Sequence, residues 1–180
     1  MNEHALPTFY ANILYELSIK PNDAERYLSN LQMVLKTIQE HPKLETVLYS
    51  PLIGHHEKQN IIKRLFGEEL DPIVSAFLKK LLEMNRMNLL SRIVQKFSRR
   101  VRDEQGILDV KLVLAETADD RDKRALKTKI SGAFGKQIDL YEELNRKIIG
   151  GMILMFSNNK MLDYSLKTRL NRLQESLERK

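Results

Sequence analysis

Asn145-Arg146-Lys147-Ile148-Ile149-Gly150-Gly151-Met152-Ile153-Leu154-Met155-Phe156 runs into Ser157-Asn158-Asn159-Lys160 and then Met161-Leu162-Asp163-Tyr164-Ser165. Two glycines before five apolar residues predict a strand entered through a kink or bulge, since only glycine takes such backbone angles without steric cost. Residues 157–160 carry turn chemistry. Met161 and Leu162 can return as a short partner strand. Ser165 is a good N-cap, and Leu166, Leu170, Leu173 and Leu177 follow at helical spacing. The stretch therefore reads as strand, turn, short strand, cap and terminal helix.

Working back from it, Leu108, Val110, Leu112 and Leu114 alternate along the chain, which is a strand pattern beginning just after Gly106. Thr117 can cap a helix through about Gln137, although Gly132 and Gly135 weaken its end. Ile138 to Tyr141 reads as a further short strand. Residues 106–180 are thus expected to form a small α/β unit with a β-hairpin and a terminal helix.

Before Gly106 the apolar period is helical. Leu6, Phe9, Tyr10, Ile13, Leu14 and Leu17 make a wide stripe with Pro7 near its start, and Pro21 is expected to end it. Asn22 and Glu25 resemble a capping box ahead of Leu28, Leu31, Leu35 and Ile38. Pro42 and Pro51 bracket a short apolar piece, Leu44 to Tyr49. Ile61, Ile62, Leu65 and Phe66 mark a helix that Gly67 can stop. Asp71-Pro72 is an N-cap followed by proline at the first helical position. A broad apolar face follows: Ile73, Val74, Phe77, Leu78, Leu81 and Leu82. Asn85 and Asn88 suggest a break, and Leu89 to Val101 gives the next helix. The fold class is mainly α, with an N-terminal six-helix bundle over residues 1–105 and the α/β unit over 106–180.

Composition narrows the function. The 180 residues are 42% apolar and 30% charged, enough to fold and to bury roughly 70% of the unfolded surface. There is no cysteine, which excludes disulfide scaffolds, thiolate zinc sites and cysteine nucleophiles. No apolar run approaches the ~20 residues of a membrane span. The first residues lack the pattern of a secretory signal, so a cytoplasmic protein is the default expectation. The net charge of +6 suits weak attraction to an acidic partner or membrane surface.

No side-chain constellation proposes catalysis. His4, His41, His55 and His56 lack co-ligands at metal spacing, and neighbours on a helix such as His55 and His56 cannot point the same way. No nucleophile elbow or Walker loop is present, and Ser131 to Lys136 reads as the end of a helix rather than a phosphate loop. Asp119, Asp120 and Asp122 complement a helix N-terminus. Arg92, Lys96 and Arg99, with Arg86, Arg100 and Arg102, make a basic stripe with no acid from residue 87 to 101. The stripe offers a competing reading, a basic nucleic-acid-binding helical adaptor. It lacks the interleaved aromatics of a base-stacking surface, and a solvated helix face is the better explanation.

The ordered C-terminal string resembles the signature of the delta subunit of bacterial F-type ATP synthases, the family that includes the mitochondrial oligomycin-sensitivity protein. The matching residues are Ile148-Ile149-Gly150-Gly151, Leu162-Asp163-Tyr164-Ser165, Leu166 and Arg169-Leu170. Tyr164 stands where the family usually has glycine, and Asn145-Arg146-Lys147 where it usually has an aspartate. Further matches are Tyr10-Ala11-Asn12-Ile13-Leu14, Ser50-Pro51-Leu52-Ile53 with Lys58, Phe77-Leu78 with Leu81-Leu82, and Asn85-Arg86-Met87. They extend the resemblance over nearly the whole chain.

The resemblance implies a non-catalytic stator subunit of a proton-translocating ATP synthase, peripheral to the cytoplasmic face of the bacterial cell membrane. It implies no cofactor and no metal. It implies two partners: the N-terminal helix of the alpha subunit, received between the first and fifth helices, and the b subunits of the peripheral stalk, met by the C-terminal part. Tyr10, Ile13, Leu14, Leu17, Phe77, Leu78 and Leu81 are then the candidate neighbours of the alpha helix, and Gly150, Gly151, Asp163 and Ser165 carry the family signature.

Overall fold

The computed structural model of the chain describes residues 5–20, 22–67, 69–157, 160–168 and 170. It divides into two compact units, Met1–Val101 and Arg102–Lys180.

The first unit is helical. Its elements are α1 (Leu6–Glu16), α2 (Asp23–Glu40), α3 (Pro42–Tyr49), α4 (His55–Phe66), α5 (Pro72–Glu83) and, after a 3-10 turn at Met87–Leu89, α6 (Leu90–Glu104), whose last three residues fall in the second unit. One apolar core joins them, and the fully enclosed side chains include Leu14, Tyr27, Leu31, Leu48, Leu78 and Phe97. Burial pushes the Tyr27 hydroxyl above its usual titration range.

Local chemistry sets the helix ends. Asp71 caps α5 by accepting the Ile73 amide at 2.9 Å, with Pro72 in the first turn. Arg26 reaches that same carboxylate at 2.8 Å while pairing with Asp23 at 2.8 Å, so the starts of α2 and α5 are tied together. Asn85, in the left-handed region at φ 50°, ends α5. The Arg86 amide bonds the Leu81 carbonyl and the Asn85 amide the Leu82 carbonyl, which is the Schellman arrangement. Buried Lys58 donates to the Ser50 carbonyl at 2.6 Å, satisfying the end of α3 from inside α4.

Two expected boundaries differ. Asn22 is not a capping residue: it sits at φ 70° and its side chain makes no cap bond. The Asp23 carboxylate beside it takes the Lys20 amide at 2.9 Å. Helix α1 stops at Glu16, ahead of Pro21, because Ser18 closes the last turn with both its amide and its hydroxyl on the Tyr15 carbonyl.

The second unit is a four-stranded mixed sheet with one helix. Strands β1 (Ile107–Leu114), β2 (Gln137–Leu144), β3 (Met152–Phe156) and β4 (Met161–Asp163) lie in the order β2-β1-β3-β4. Helix α7 (Asp120–Phe134) is the crossover that lets β2 run parallel to β1. Strand β3 pairs antiparallel with β1, and β4 returns against β3 as a hairpin. Leu108, Val110 and Leu112 of β1 pack with Ile130 of α7, Ile138 of β2 and Leu154 and Phe156 of β3.

Helix α7 begins after Asp119 rather than Thr117 and ends at left-handed Gly135, short of Gln137. Asp119 holds the position before the helix without a side-chain cap bond, and starting there puts Asp120 and Asp122 in the first turn, where carboxylates favour the helix dipole. Strand β2 runs on to Leu144, beyond the expected Tyr141. Its polar end is held by ion pairs from Lys123 to Glu142 and from Lys111 to Glu143. Residues 166–168 and 170 are helical, and the expected continuation through Leu173 and Leu177 lies outside the described residues.

Candidate partner surface and family signature

Apolar side chains of α1 and of α5 meet at Tyr10, and others beside them are left open. The Tyr10 ring packs edge-on against Phe9 and against Phe77, both at 5.9 Å between centroids. Its hydroxyl receives a hydrogen bond from Arg86 at 2.7 Å and lies 3.5 Å from the Met84 sulfur. The Schellman turn at Asn85 is what aims Arg86 back at α1.

The seven candidate residues separate by burial. Leu14, Leu78 and Leu81 are fully enclosed and Tyr10 nearly so; these four are core of the chain itself. Ile13 and Phe77 are half-buried, and Leu17 is exposed. Phe9, half exposed, and Met84 were not among the seven, yet they join the open strip with Leu17. Phe9, Ile13 and Leu17 recur every fourth residue, so they share one face of α1. The signal that could have found Phe9 is the width of the α1 face, which is broader than one core-facing stripe.

The signature residues of the second unit meet one another. Gly150 and Gly151 take φ 140° and φ 82°. A Cβ on Gly151 would stand 2.3 Å from the Tyr164 carbonyl oxygen and 2.9 Å from the Ser165 Cα. The backbone thus crosses here at a distance only glycine permits. The Leu166 amide bonds the Gly150 carbonyl at 3.0 Å and the Tyr164 amide the Met152 carbonyl at 2.8 Å. Asp163 accepts the Ser165 amide at 2.8 Å and the Thr168 hydroxyl at 2.8 Å, and buried Ser165 lies 3.4 Å from the Thr168 amide. The set is a structural knot: it fastens the start of the terminal helix to the mouth of β3.

The basic stripe is partly spent inside the protein. Arg86 serves Tyr10, and the Arg100 guanidinium lies 5.0 Å from the centre of the Tyr15 ring. Arg102 pairs with Asp109 at 2.6 Å and with Asp139 at 2.5 Å. Asp139 also accepts from the Tyr141 hydroxyl at 2.9 Å. The Arg102 hydrogen bond, helped by that of Tyr141, holds the Asp139 carboxyl below the usual carboxylate range. Ser131 to Lys136 is helix termination: the Gly135 amide bonds the Ser131 carbonyl, and the Ser131 hydroxyl bonds that of Lys136. Among the described residues no group of three or more carboxylates and histidines is placed to hold a metal, and no helix is long and apolar enough to cross a membrane.

Comparison with known proteins covers nearly the whole chain. The ATP synthase subunit delta of Protochlamydia amoebophila is 29% identical over 168 residues, covering 93% of this chain and 92% of the relative. That of Carboxydothermus hydrogenoformans is 29% identical over 177 residues, covering 98% and 99%. In fold, the chain is similar to one in the cryo-EM structure of the Toxoplasma gondii mitochondrial ATP synthase hexamer. The TM-score is 0.73 at 22% identity, over 96% of this chain and 97% of the other. A family model described as ATP synthase delta (OSCP) subunit matches residues 7–177. The chain belongs to that family, as a structural, non-catalytic peripheral-stalk component of an F-type ATP synthase, and the nucleic-acid reading of the stripe finds no support.

Proposed function

We propose that the first unit is the helical bundle that holds the catalytic head and the second the part that meets the stalk. The N-terminal helix of an alpha subunit lies along the strip on α1 and α5. The b subunits reach the second unit. Together the contacts resist rotor torque in a proton-translocating synthase at the cytoplasmic face of the cell membrane.

The observation that carries this reading is the uncovered strip itself. Phe9, Leu17 and Met84 are exposed and Ile13 and Phe77 half-buried on or just after α1 and α5, which Tyr10 joins through its contacts with Phe77 and Met84. An amphipathic helix buries such a strip through side chains at helical spacing. On the second unit, Tyr141, Met155 and Met161 are exposed in one row across the sheet, at paired register with Lys111. Methionine side chains adapt to a partner's shape, which suits docking of a second helix.

Titration calorimetry of the whole chain with a peptide of the alpha-subunit N-terminal helix tests the head contact. One-to-one binding is expected. Leu17→Asp and Phe9→Asp should weaken it by at least about tenfold, since each places a charge in the apolar contact. Both positions are exposed, so the helical circular dichroism should be retained. Absence of binding by a folded sample would remove this interface.

A further inference from the structure

We infer that the open edge of β2, with the groove beside it, receives an extended segment of another protein, one that carries carboxylates at alternate positions. Strand β2 is the outer strand of the sheet and pairs, among the described residues, with β1. The groove holds about 820 Å³ and runs between α7 and the start of β2. Arg124 and Lys127 of α7 line it, together with Lys136, Gln137 and Ile138.

Three observations select the occupant. The first is the backbone. The Gln137 amide bonds the Gly106 carbonyl at 2.9 Å and the Asn145 amide the Leu114 carbonyl at 2.7 Å, so odd-numbered residues of β2 turn their amide and carbonyl groups toward β1. Those of Ile138, Leu140, Glu142 and Leu144 therefore point to the open edge. The strand pairs over 8 residues without a bulge, and it contains no proline and no lysine, the devices that close such an edge to other strands. An added strand can bond to these groups, whereas a helix has spent its own backbone internally. The second is room. Gly132 and Gly135 border the groove, and a Cβ built on either meets nothing within 4 Å. Ile138 packs with Ile130 of α7, so even-numbered side chains mark the face toward that helix. Every second side chain of an added strand shares this face and finds the groove before it. The third is charge. The carboxylates of β2 are answered within the unit: Asp139 by Arg102, Glu142 by Lys123 and Glu143 by Lys111. Arg124, Lys127 and Lys136 have no ion pair among the described residues. Side chains entering the groove meet these cations, so carboxylates are favoured there. A second copy of this chain, joined edge to edge, would set two such basic flanks against each other, and charge selects against it.

Amide hydrogen exchange followed by nuclear magnetic resonance on the full chain tests this. The probe is a blocked peptide alternating glutamate and valine, and a peptide alternating lysine and valine is the control. The glutamate peptide should bind saturably and slow exchange at Ile138, Leu140, Glu142 and Leu144 at least about tenfold. Asp139, Tyr141 and Glu143, already bonded to β1, should stay as they were. The lysine peptide should do neither. Arg124→Glu and Lys127→Glu change exposed positions, and each should weaken binding about tenfold. Lys79→Glu, the same change of charge in the first unit, should leave it unaltered. Leu144→Pro removes one outward amide at an exposed position without touching the β1 ladder, and it should weaken binding while the folded spectrum is kept. Binding that shifts α7 resonances without slowing the four alternate amides would be contact by charge alone and would overturn the inference. So would an equal response to the lysine peptide, or no binding by the folded chain. Alternate amides already protected in the free chain would mean that this chain or a second copy covers the edge, and would also overturn it; sedimentation separates those two cases. Binding of the alpha-subunit peptide should be unaltered in Arg124→Glu, so failure of this site and failure of the contact on α1 and α5 are read separately.

Discussion

Gly151 and Gly135 both occupy the left-handed region, but for different reasons. Nothing stands within 4 Å of a Cβ built on Gly135, so alanine there meets only the backbone penalty of a helix cap, about 1 kcal/mol. Alanine at 151 meets the same penalty and also a carbonyl oxygen at 2.3 Å. Gly151→Ala should therefore cost at least about 2 kcal/mol more than Gly135→Ala, in urea denaturation of the two variants. Paired glycines announce an unusual backbone in any sequence. What they make room for, the Tyr164 carbonyl, depends on hairpin register and was not legible. Tyr164 itself stands outside the left-handed region, so its side chain brings no backbone strain.

Among the elements, those with a strong local signal were readable. Asp71-Pro72 announced α5, Gly67 the end of α4, and the alternation after Gly106 announced β1. Asp71→Ala should cost about 1–2 kcal/mol, since it removes a cap that also anchors Arg26, with a lowered midpoint of thermal unfolding as the measure. Elements defined by distant partners were not readable. The polar end of β2 looks like a loop until Lys111 and Lys123 arrive to pair with it. On α1 apolar residues nearly encircle the helix, so periodicity gave a face but not which side of it was core. Leu14 went inward and Leu17 did not.

The Arg102 cluster has a pH signature at this same scale. The folded-state pKa of Asp139 is lowered, so its stabilising contribution is present above the ordinary carboxylate value of about 4 and is lost as the pH falls through the lowered value. Asp139→Asn should be less stable than the native chain at pH 7, and the difference should shrink in acid. Denaturation at the two pH values checks this. A constant difference would show that the carboxylate charge is not what Arg102 requires.

For the molecule as a whole, the change from helical to alternating period was legible because the two periods are far apart. The core of the first unit closes within residues 6–101. A chain ended at Gln105 should keep a cooperative helical transition by circular dichroism. A complementary chain begun at Gly106 leaves Asp109 and Asp139 without Arg102, and it should melt lower than one begun at Arg102. On the proposed reading the uncovered strip belongs to this scale too, because its occupant is another chain.

The place of β1 in the sheet carries a mechanical consequence. After α6 and a turn at Gln105-Gly106 the chain enters β1, an inner strand paired along its length with β2 on one side and over five positions with β3 on the other. Backbone hydrogen bonds of a sheet lie across the strands. Tension along β1 therefore loads both ladders in shear, all bonds together, instead of peeling an edge strand off one bond at a time. Forced unfolding is set by the height of the barrier to rupture rather than by equilibrium stability. An attachment threaded through the middle of a sheet is suited to a part that is pulled repeatedly and must not creep.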